Sequence, residues 1–234
     1  MDKYAYLFIS VLLFVPWLAF CLSRPDLKKK ILKTSVLGGL AGLIAEFWYF
    51  RDYWQPPSLF GKATVSPEDF LFGFFITGIA VAGYDVAFRK TNATGAKKRK
   101  KFFAGLFATG VFSLFIFNNW MGFNSIFVSS LAFVAFSVVM SLFRKDLWLP
   151  SLISGMLTVL IIIPVYAIIF NLLYPDFWNK YGLLSGSAYG IAVLGHIPVT
   201  ELVWYFSWGS MAGIAYDFAS GKKKMTYQNK RYKY

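Results

Sequence analysis

Two stretches of the chain decide its fold: residues 66–88 read SPEDFLFGFFITGIAVAGYDVAF, and residues 198–220 read PVTELVWYFSWGSMAGIAYDFAS. Each has a proline and at least one acidic residue at its start, continues through mostly apolar or small residues, and carries Tyr-Asp near its end. A helix needs about 20 predominantly apolar residues to cross the hydrocarbon core of a bilayer. Both stretches therefore predict membrane-spanning helices with acidic groups at the same end.

Similar apolar blocks recur along the whole chain, which has 234 residues and is 57% hydrophobic, 21% aromatic and only 15% charged. This composition leaves too little polar surface to coat a water-soluble globule. The blocks lack the alternation of barrel strands, and backbone groups in lipid must be paired internally, so helices are required. We predict an all-α polytopic membrane protein with about seven transmembrane helices, at 4–22, 31–50, 69–88, 102–119, 125–143, 148–174 and 199–219.

Basic residues cluster between alternate predicted spans and after the last one. All but Lys3, Arg51, Lys62 and Lys180 of the 24 Lys and Arg residues fall on one side. The positive-inside rule makes that side cytoplasmic, which predicts an integral protein of the cell membrane with its N-terminus outside and its C-terminus inside. We interpret the net charge of +13 as topology and contact with anionic lipid, and expect no nucleic-acid partner.

An internal repeat relates the two opening stretches. A shift of 132 positions places Asp69 on Glu201 and Asp85 on Asp217. Upstream, residues 52–54 (DYW) resemble residues 176–178 (DFW). We infer two parallel three-helix repeats, spans 1–3 and 5–7, joined by span 4. The predicted single membrane domain covers 1–221, with repeat one at about 1–90, the connector at about 100–120, repeat two at about 124–220, and a basic cytoplasmic tail at 222–234.

Several acidic residues lie in or beside the apolar blocks. Glu201 comes soon after a proline and is followed at once by apolar residues, so its carboxyl is expected to face the bundle, where an ionisable group indicates function. Glu68 and Asp69 fit either a functional role or a helix capping box begun by Ser66. Glu46 fits either a site role or an ion pair with Arg51.

Other polar and aromatic side chains have simpler or weaker interpretations. Asp85 and Asp217 are predicted to serve packing and anchoring at the cytoplasmic helix ends. The single histidine, His196, fits a proton relay or a hydrogen bond. A helical period places Trp204, Tyr205 and Trp208 on or near the face of Glu201, so that aromatic rings follow the carboxyl into the membrane.

The chemistry that these groups favour is the protonation of an alkene. One cysteine, Cys21, excludes an internal disulfide, and the sequence contains no dinucleotide, P-loop or zinc-protease motif, so we expect no metal and no cofactor. A carboxylic acid held neutral by burial and by neighbouring carboxylates can protonate a polyene. Aromatic faces stabilise the resulting carbocation without trapping it. This combination is typical of the cyclisation of a polyene.

The residues that carry this pattern resemble a known family. Residues 51–54 (RDYW), Gly61, residues 66–74 (SPEDFLFGF) and residues 83–85 (GYD), followed by residues 198–201 (PVTE) and Trp204, resemble the integral-membrane lycopene β-cyclases of bacteria, archaea and fungi. The family hallmark is Pro-x-Glu-Glu at the head of a span. Ser66 stands for the hallmark proline, Asp69 for the second Glu, and Thr200 for the first Glu of the second copy.

The resemblance implies a redox-neutral closure of β-ionone rings at the linear ends of lycopene. It implies Glu201 and Asp69 as proton donor and acceptor, in either order, with Glu68 tuning them. The residues expected to contact the substrate are Trp204, Tyr205, Trp208, Phe72, Glu46, Trp54 and His196. The expected partners are a lipophilic polyene and the lipid bilayer, and formation of a homodimer stays open.

Two alternatives stay open. The enzyme could cyclise another isoprenoid, such as a prenylated quinone or a meroterpenoid, or the chain could be a carotenoid-binding or transport protein without catalytic activity. A retinal protein is excluded because span 7 carries no lysine for a Schiff base.

Overall fold

The computed structural model describes residues 2–61 and 63–226, and helices make up most of them. The helices are α1 (Ala5–Ser23), α2 (Lys28–Asp52), α3 (Pro67–Ala87), α4 (Lys100–Ser113), α5 (Ser125–Phe143), α6 (Trp148–Tyr166), α7 (Phe177–Tyr181) and α8 (Val199–Ser220). Helices α4 and α6 continue as π-helix over Leu114–Trp120 and Ala167–Leu173. The predicted all-α class is confirmed, and each predicted span coincides closely with a helix.

Within residues 2–61 and 63–226, six helical segments are long and apolar enough to cross a membrane. They are Asp2–Ser23, Pro25–Asp52, Pro67–Ala87, Lys100–Trp120, Ser125–Phe143 and Lys145–Leu173. The seventh predicted span forms α8, which has 22 residues but is not among the six. Helix α8 contains polar residues such as Ser207 and Ser210, and these are buried inside the protein. A helix that faces other helices along much of its length can be less apolar than one that faces lipid.

Helices α3 and α8 form the centre of the bundle. Helix α3 packs against α1, α2, α6 and α8, and α8 also packs against α5 and α6. Both helices bury residues along most of their length. Helix α4 has no buried residue, so it lies at the periphery, as expected for a connector.

Two arginines make the same contacts in the two halves of the chain. Arg24 donates from Nη1 to the Asp85 carbonyl oxygen at 2.7 Å and from Nη2 to the Lys90 carbonyl oxygen at 2.5 Å. Arg144 donates from Nη1 to the Asp217 carbonyl oxygen at 3.0 Å and to the Lys222 carbonyl oxygen at 2.9 Å. These acceptors lie 132 positions after Asp85 and Lys90. Corresponding loops are therefore held to corresponding helix ends in each half.

A two-stranded ribbon joins the halves at this end of the bundle. Strand β1 (Lys90–Thr94) pairs antiparallel with β4 (Lys222–Thr226), and Asn92 lies opposite Lys224 at its middle. A second short pair, β2 (Ala192–Val193) and β3 (Ile197–Pro198), precedes α8. Residues 222–226 are thus a paired strand, because their backbone groups bond to β1, and the prediction of a tail is wrong for them. The rest of that predicted tail, 227–234, lies outside the described residues.

Four charged side chains form a buried cluster beneath the ribbon. Lys30 Nζ lies 2.9 Å from Asp85 Oδ2 and 3.4 Å from Asp217 Oδ1. Lys224 Nζ lies 2.6 Å from Asp217 Oδ2 and also pairs with Asp85. Burial and the nearby Lys30 lower the pKa of Lys224, while the two carboxylates oppose that change.

The cluster corrects two predictions made from the sequence. Both aspartates have fully buried side chains, so they neutralise buried cations in addition to serving packing and anchoring. Lys30 and Arg24 are also buried, at 5% and 6% exposure, and they bind groups of the protein. The prediction that the basic residues of this side contact anionic lipid is therefore wrong for these two.

The close approach of α6 and α8 depends on Gly209. A methyl group at this position would overlap the Thr158 side chain and lie 3.0 Å from the Ser154 carbonyl oxygen. We expect Gly209→Ala to destabilise the protein by about 1–3 kcal/mol, because packed helices would have to separate. Thermal unfolding in detergent measures this loss. Gly105→Ala in α4 is the control, since no atom lies within 4 Å there, and an equal effect of both changes would contradict the prediction.

Candidate active site

Glu201 lies in the first turn of α8 and is held by tyrosines from separate parts of the chain. Tyr53, which follows α2, donates its hydroxyl to Glu201 Oε1 at 2.6 Å, and Tyr166 of α6 donates to Oε2 at 2.6 Å. The Tyr166 and Tyr205 hydroxyls are 2.5 Å apart. Glu201 is only 7% exposed, so both of its oxygens are satisfied by buried phenols in place of water.

Asp69 occupies the corresponding place in α3 and has different partners. Its Oδ2 accepts the Ser66 amide at 2.5 Å and the Ser66 hydroxyl at 3.0 Å, which confirms the predicted capping box. Its side chain also lies next to Tyr6 of α1. Asp69 is 3% exposed, so its capping role is compatible with a buried functional role.

Glu46 of α2 is a third buried acid in the same region. It interacts electrostatically with Asp69 and Glu201, it lies next to the Trp54 indole, and it is 4% exposed. Its Oε1 has no hydrogen-bond partner among the described residues. The alternative of an ion pair with Arg51 is wrong, because the exposed Arg51 donates to Asn119 Oδ1 at 3.1 Å.

Glu68 is fully buried next to Asp69 but turns towards the preceding loop. Its Oε1 accepts the Leu59 amide at 2.7 Å, and its Oε2 has no partner among the described residues. This contact fixes the loop between α2 and α3. Its predicted role in tuning the other acids stays a prediction.

Aromatic side chains fill the space between the two halves of the site. The Phe72 ring centroid lies 5.8 Å from that of Tyr6 and 6.2 Å from that of Tyr205, so it lies between the partners of Asp69 and Glu201. Trp54 packs edge-on against Tyr6 and stacks at 5.9 Å on Trp178. The pair Trp54 and Trp178 joins the two segments whose sequences resemble each other.

The aromatic residues that follow Glu201 on α8 contact one another. Tyr53, Tyr166 and Tyr205 surround the Glu201 carboxyl and form what we call the tyrosine cage. The position of Tyr205 in this cage is the one that the helical period predicts. Trp204 and Trp208 stack on each other at 5.8 Å, and the Trp204 indole donates to the Tyr49 hydroxyl at 2.8 Å. The Trp204 ring centroid also lies 5.2 Å from that of Tyr205, so the stacked tryptophans extend the aromatic lining of the site towards α2 and α5.

A small cavity, partly open to solvent, reaches the tyrosine cage from the loop before α8. Tyr53 and Thr200, whose hydroxyls are 3.1 Å apart, form its inner wall together with Trp178. His196 also lines the cavity, although it is exposed and its backbone amide is bound to Asn171. The Tyr53 hydroxyl, which donates to Glu201 and adjoins the Thr200 hydroxyl, thus connects Glu201 to this cavity.

Three tyrosines of the site were not identified from the sequence. Tyr53 stands in the repeated segment 52–54, and this was the only signal that could have singled it out. Tyr6 and Tyr166 lie in apolar spans with no distinguishing neighbours. No group of three His, Cys, Asp or Glu side chains suited to a metal ion occurs among residues 2–61 and 63–226.

The fold and site define an all-helical protein with six membrane-compatible segments and a cluster of buried acids surrounded by aromatic rings. Residues 124–219 match the family model described as Lycopene cyclase, and this match supports the assignment of the region to the lycopene cyclase family. The match supports a role in carotenoid cyclisation. It includes α5, α6 and α8 with Glu201, whereas Asp69 and Glu46 lie outside it. Comparisons with curated proteins and with solved structures found no match.

Proposed function

We propose that this protein is a membrane-embedded enzyme that closes the linear ends of lycopene, or of a closely related carotenoid, into rings. The observation that carries the proposal is the buried Glu201 carboxyl, held by Tyr53 and Tyr166 inside the region that matches the lycopene cyclase family. A buried carboxyl among aromatic rings can exchange protons with an apolar substrate while water is excluded.

The reaction is an isomerisation without redox change. A carboxylic acid adds its proton to the terminal C=C bond, a neighbouring C=C bond attacks the resulting carbocation to close the ring, and a carboxylate removes a proton to restore the double bond. Glu201 and Asp69 perform the two proton transfers. The rings of Tyr205 and of Phe72, which lies between Tyr6 and Tyr205, stabilise the cation by cation–π attraction.

The chain consists, in this proposal, of two three-helix copies that face each other, with the site between them. The equivalent contacts of Arg24 and Arg144 support the duplication. Helix α8 is the seventh span, and the positive-inside rule places the N-terminus outside and the C-terminus in the cytoplasm. The acids then lie at the outer end of the bundle, with the lipid bilayer as the source of the polyene.

Expression in a bacterium that accumulates lycopene tests this function. We expect the red pigment to be replaced by yellow-orange cyclic carotene, because each ring twists its double bond out of the plane of the polyene and so shortens the effective conjugation. Pigment chromatography, together with the amount of protein in the membrane, measures the outcome. Unchanged lycopene beside abundant folded protein would reject the proposed substrate and leave cyclisation of another isoprenoid or carotenoid binding.

A further inference from the structure

The correspondence between the two halves assigns a counterpart to Glu46. Helices α2 and α6 follow equivalent arginines, since Arg24 binds Asp26 and Arg144 binds Asp146 two residues later. These arginines are 120 positions apart, and the same shift places Glu46 on Tyr166. In the second half Tyr166 donates to Glu201, whose counterpart in the first half is Asp69. Glu46 therefore stands where a side chain can reach Asp69.

Helix packing brings Glu46 and Asp69 together. Gly42, one helical turn before Glu46, lies against Asp69, and a methyl group on Gly42 would be only 2.6 Å from the Asp69 carbonyl oxygen. Glu46 lies on the same face of α2, because residues four apart are neighbours on a helix surface. Tyr6 lies next to Asp69, and its ring packs at 4.8 Å on Trp54, which lies next to Glu46, so one phenol adjoins both acids.

We propose, on the basis of the function above, that Glu46 is a catalytic acid that shares a proton with Asp69 and that this pair protonates the substrate, while Glu201 accepts the proton released by the ring. Two buried carboxyl groups on adjoining helix faces cannot both ionise without placing like charges near each other in an apolar environment, so the pair retains a proton. Glu46 Oε1, buried and without a partner among the described residues, is the oxygen free to present it. Glu201 is the opposite case, because phenols donate to both of its oxygens and stabilise the carboxylate.

Each ring closure then moves one proton across the site. The O–H bond of the acid pair breaks as a C–H bond forms at the terminal alkene, and the ring C–C bond forms from the electrons of the next alkene. Glu201 takes a proton from the ring carbon beside the cation, and the electron pair of that C–H bond becomes the ring double bond. Tyr6 and Tyr205, whose ring centroids lie 5.8 and 6.2 Å from that of Phe72, supply hydroxyls near the two acids for the return of the proton.

Deuterium exchange separates the two roles. Membranes that contain the full-length protein are incubated with lycopene in D2O, and both cyclic product and recovered lycopene are analysed by mass spectrometry. Glu201→Gln keeps the donor but lacks the acceptor, so we expect no cyclic product and deuterium in the recovered lycopene. Glu46→Gln lacks the donor, so we expect at least about a hundredfold loss of cyclisation and no deuterium in the recovered lycopene.

The controls keep the outcome decisive. Asp176→Asn changes an exposed acid at the start of α7 and should cyclise lycopene like the unsubstituted protein. If Glu46→Gln does not accumulate in the membrane, Glu46→Asp is used in its place. The Asp side chain is one methylene shorter, so its carboxyl lies farther from the substrate, and we expect cyclisation at least about tenfold slower. Deuterium exchange or full activity in Glu46→Gln, or full activity in Glu46→Asp, would overturn the assignment of Glu46. Inactivity of the unsubstituted protein would instead reject the proposed function.

Discussion

Replacement of Glu201 by Gln is expected to abolish ring closure while leaving the protein folded. An amide has nearly the size of the carboxyl group but can neither accept a proton from a carbon acid nor accept hydrogen bonds through both terminal atoms. Loss of a general acid or base typically costs about 10²–10⁴ in rate. Cyclic carotene per unit of membrane protein, compared with that of the unsubstituted chain, measures the loss.

Two companion changes test whether this loss reflects chemistry. Asp69→Asn should also remove most activity, whereas Glu68→Gln should have a smaller effect, because the Gln oxygen can still accept the Leu59 amide at the place of Glu68 Oε1. Thermal unfolding of each variant in detergent separates lost chemistry from lost folding. Retention of more than about a tenth of the activity in Glu201→Gln would reject Glu201 as a catalytic residue.

Replacement of Lys30 by Met is expected to cause the largest loss of stability. The change leaves Asp85 and Asp217 fully buried with Lys224 as the remaining cation of the cluster. Removal of one partner from a buried ion pair typically costs about 3–5 kcal/mol, because a charge stays buried without compensation. We expect a markedly lower midpoint of thermal unfolding in detergent and less protein in the membrane.

The neighbouring Lys29 supplies a matched control for this experiment. It carries the same charge on the same helix but is exposed, so Lys29→Met should leave the unfolding midpoint nearly unchanged. The double variant Lys30→Met with Asp85→Asn removes one cation and one anion, so it should regain part of the stability. Equal unfolding midpoints for Lys30→Met and Lys29→Met would show that the cluster contributes little.

The positions of the helices could be predicted from the sequence, because the length and hydropathy of a span are local properties. The predicted span at 125–143 coincides with α5, and that at 199–219 differs by a single residue from α8. The capping box of Ser66 and Asp69 was also predictable, because it depends on residues three positions apart. Glu201 stood out for a similar reason, since a carboxyl followed by apolar residues is visible locally.

The partners of these residues were decided by the tertiary structure alone. Tyr53 and Glu201 are 148 residues apart in the chain, and Lys30 and Asp217 are 187 apart, so no local pattern connects them. The ion pair proposed between Glu46 and Arg51 failed for the same reason, since the environment of Glu46 is set by α3 and α8. The sequence alone determined which segments are helices and where acids begin them, because spacing and hydropathy act locally. Which tyrosines hold Glu201, and which acid adjoins Asp69, followed only from the packing of helices that are distant in the chain.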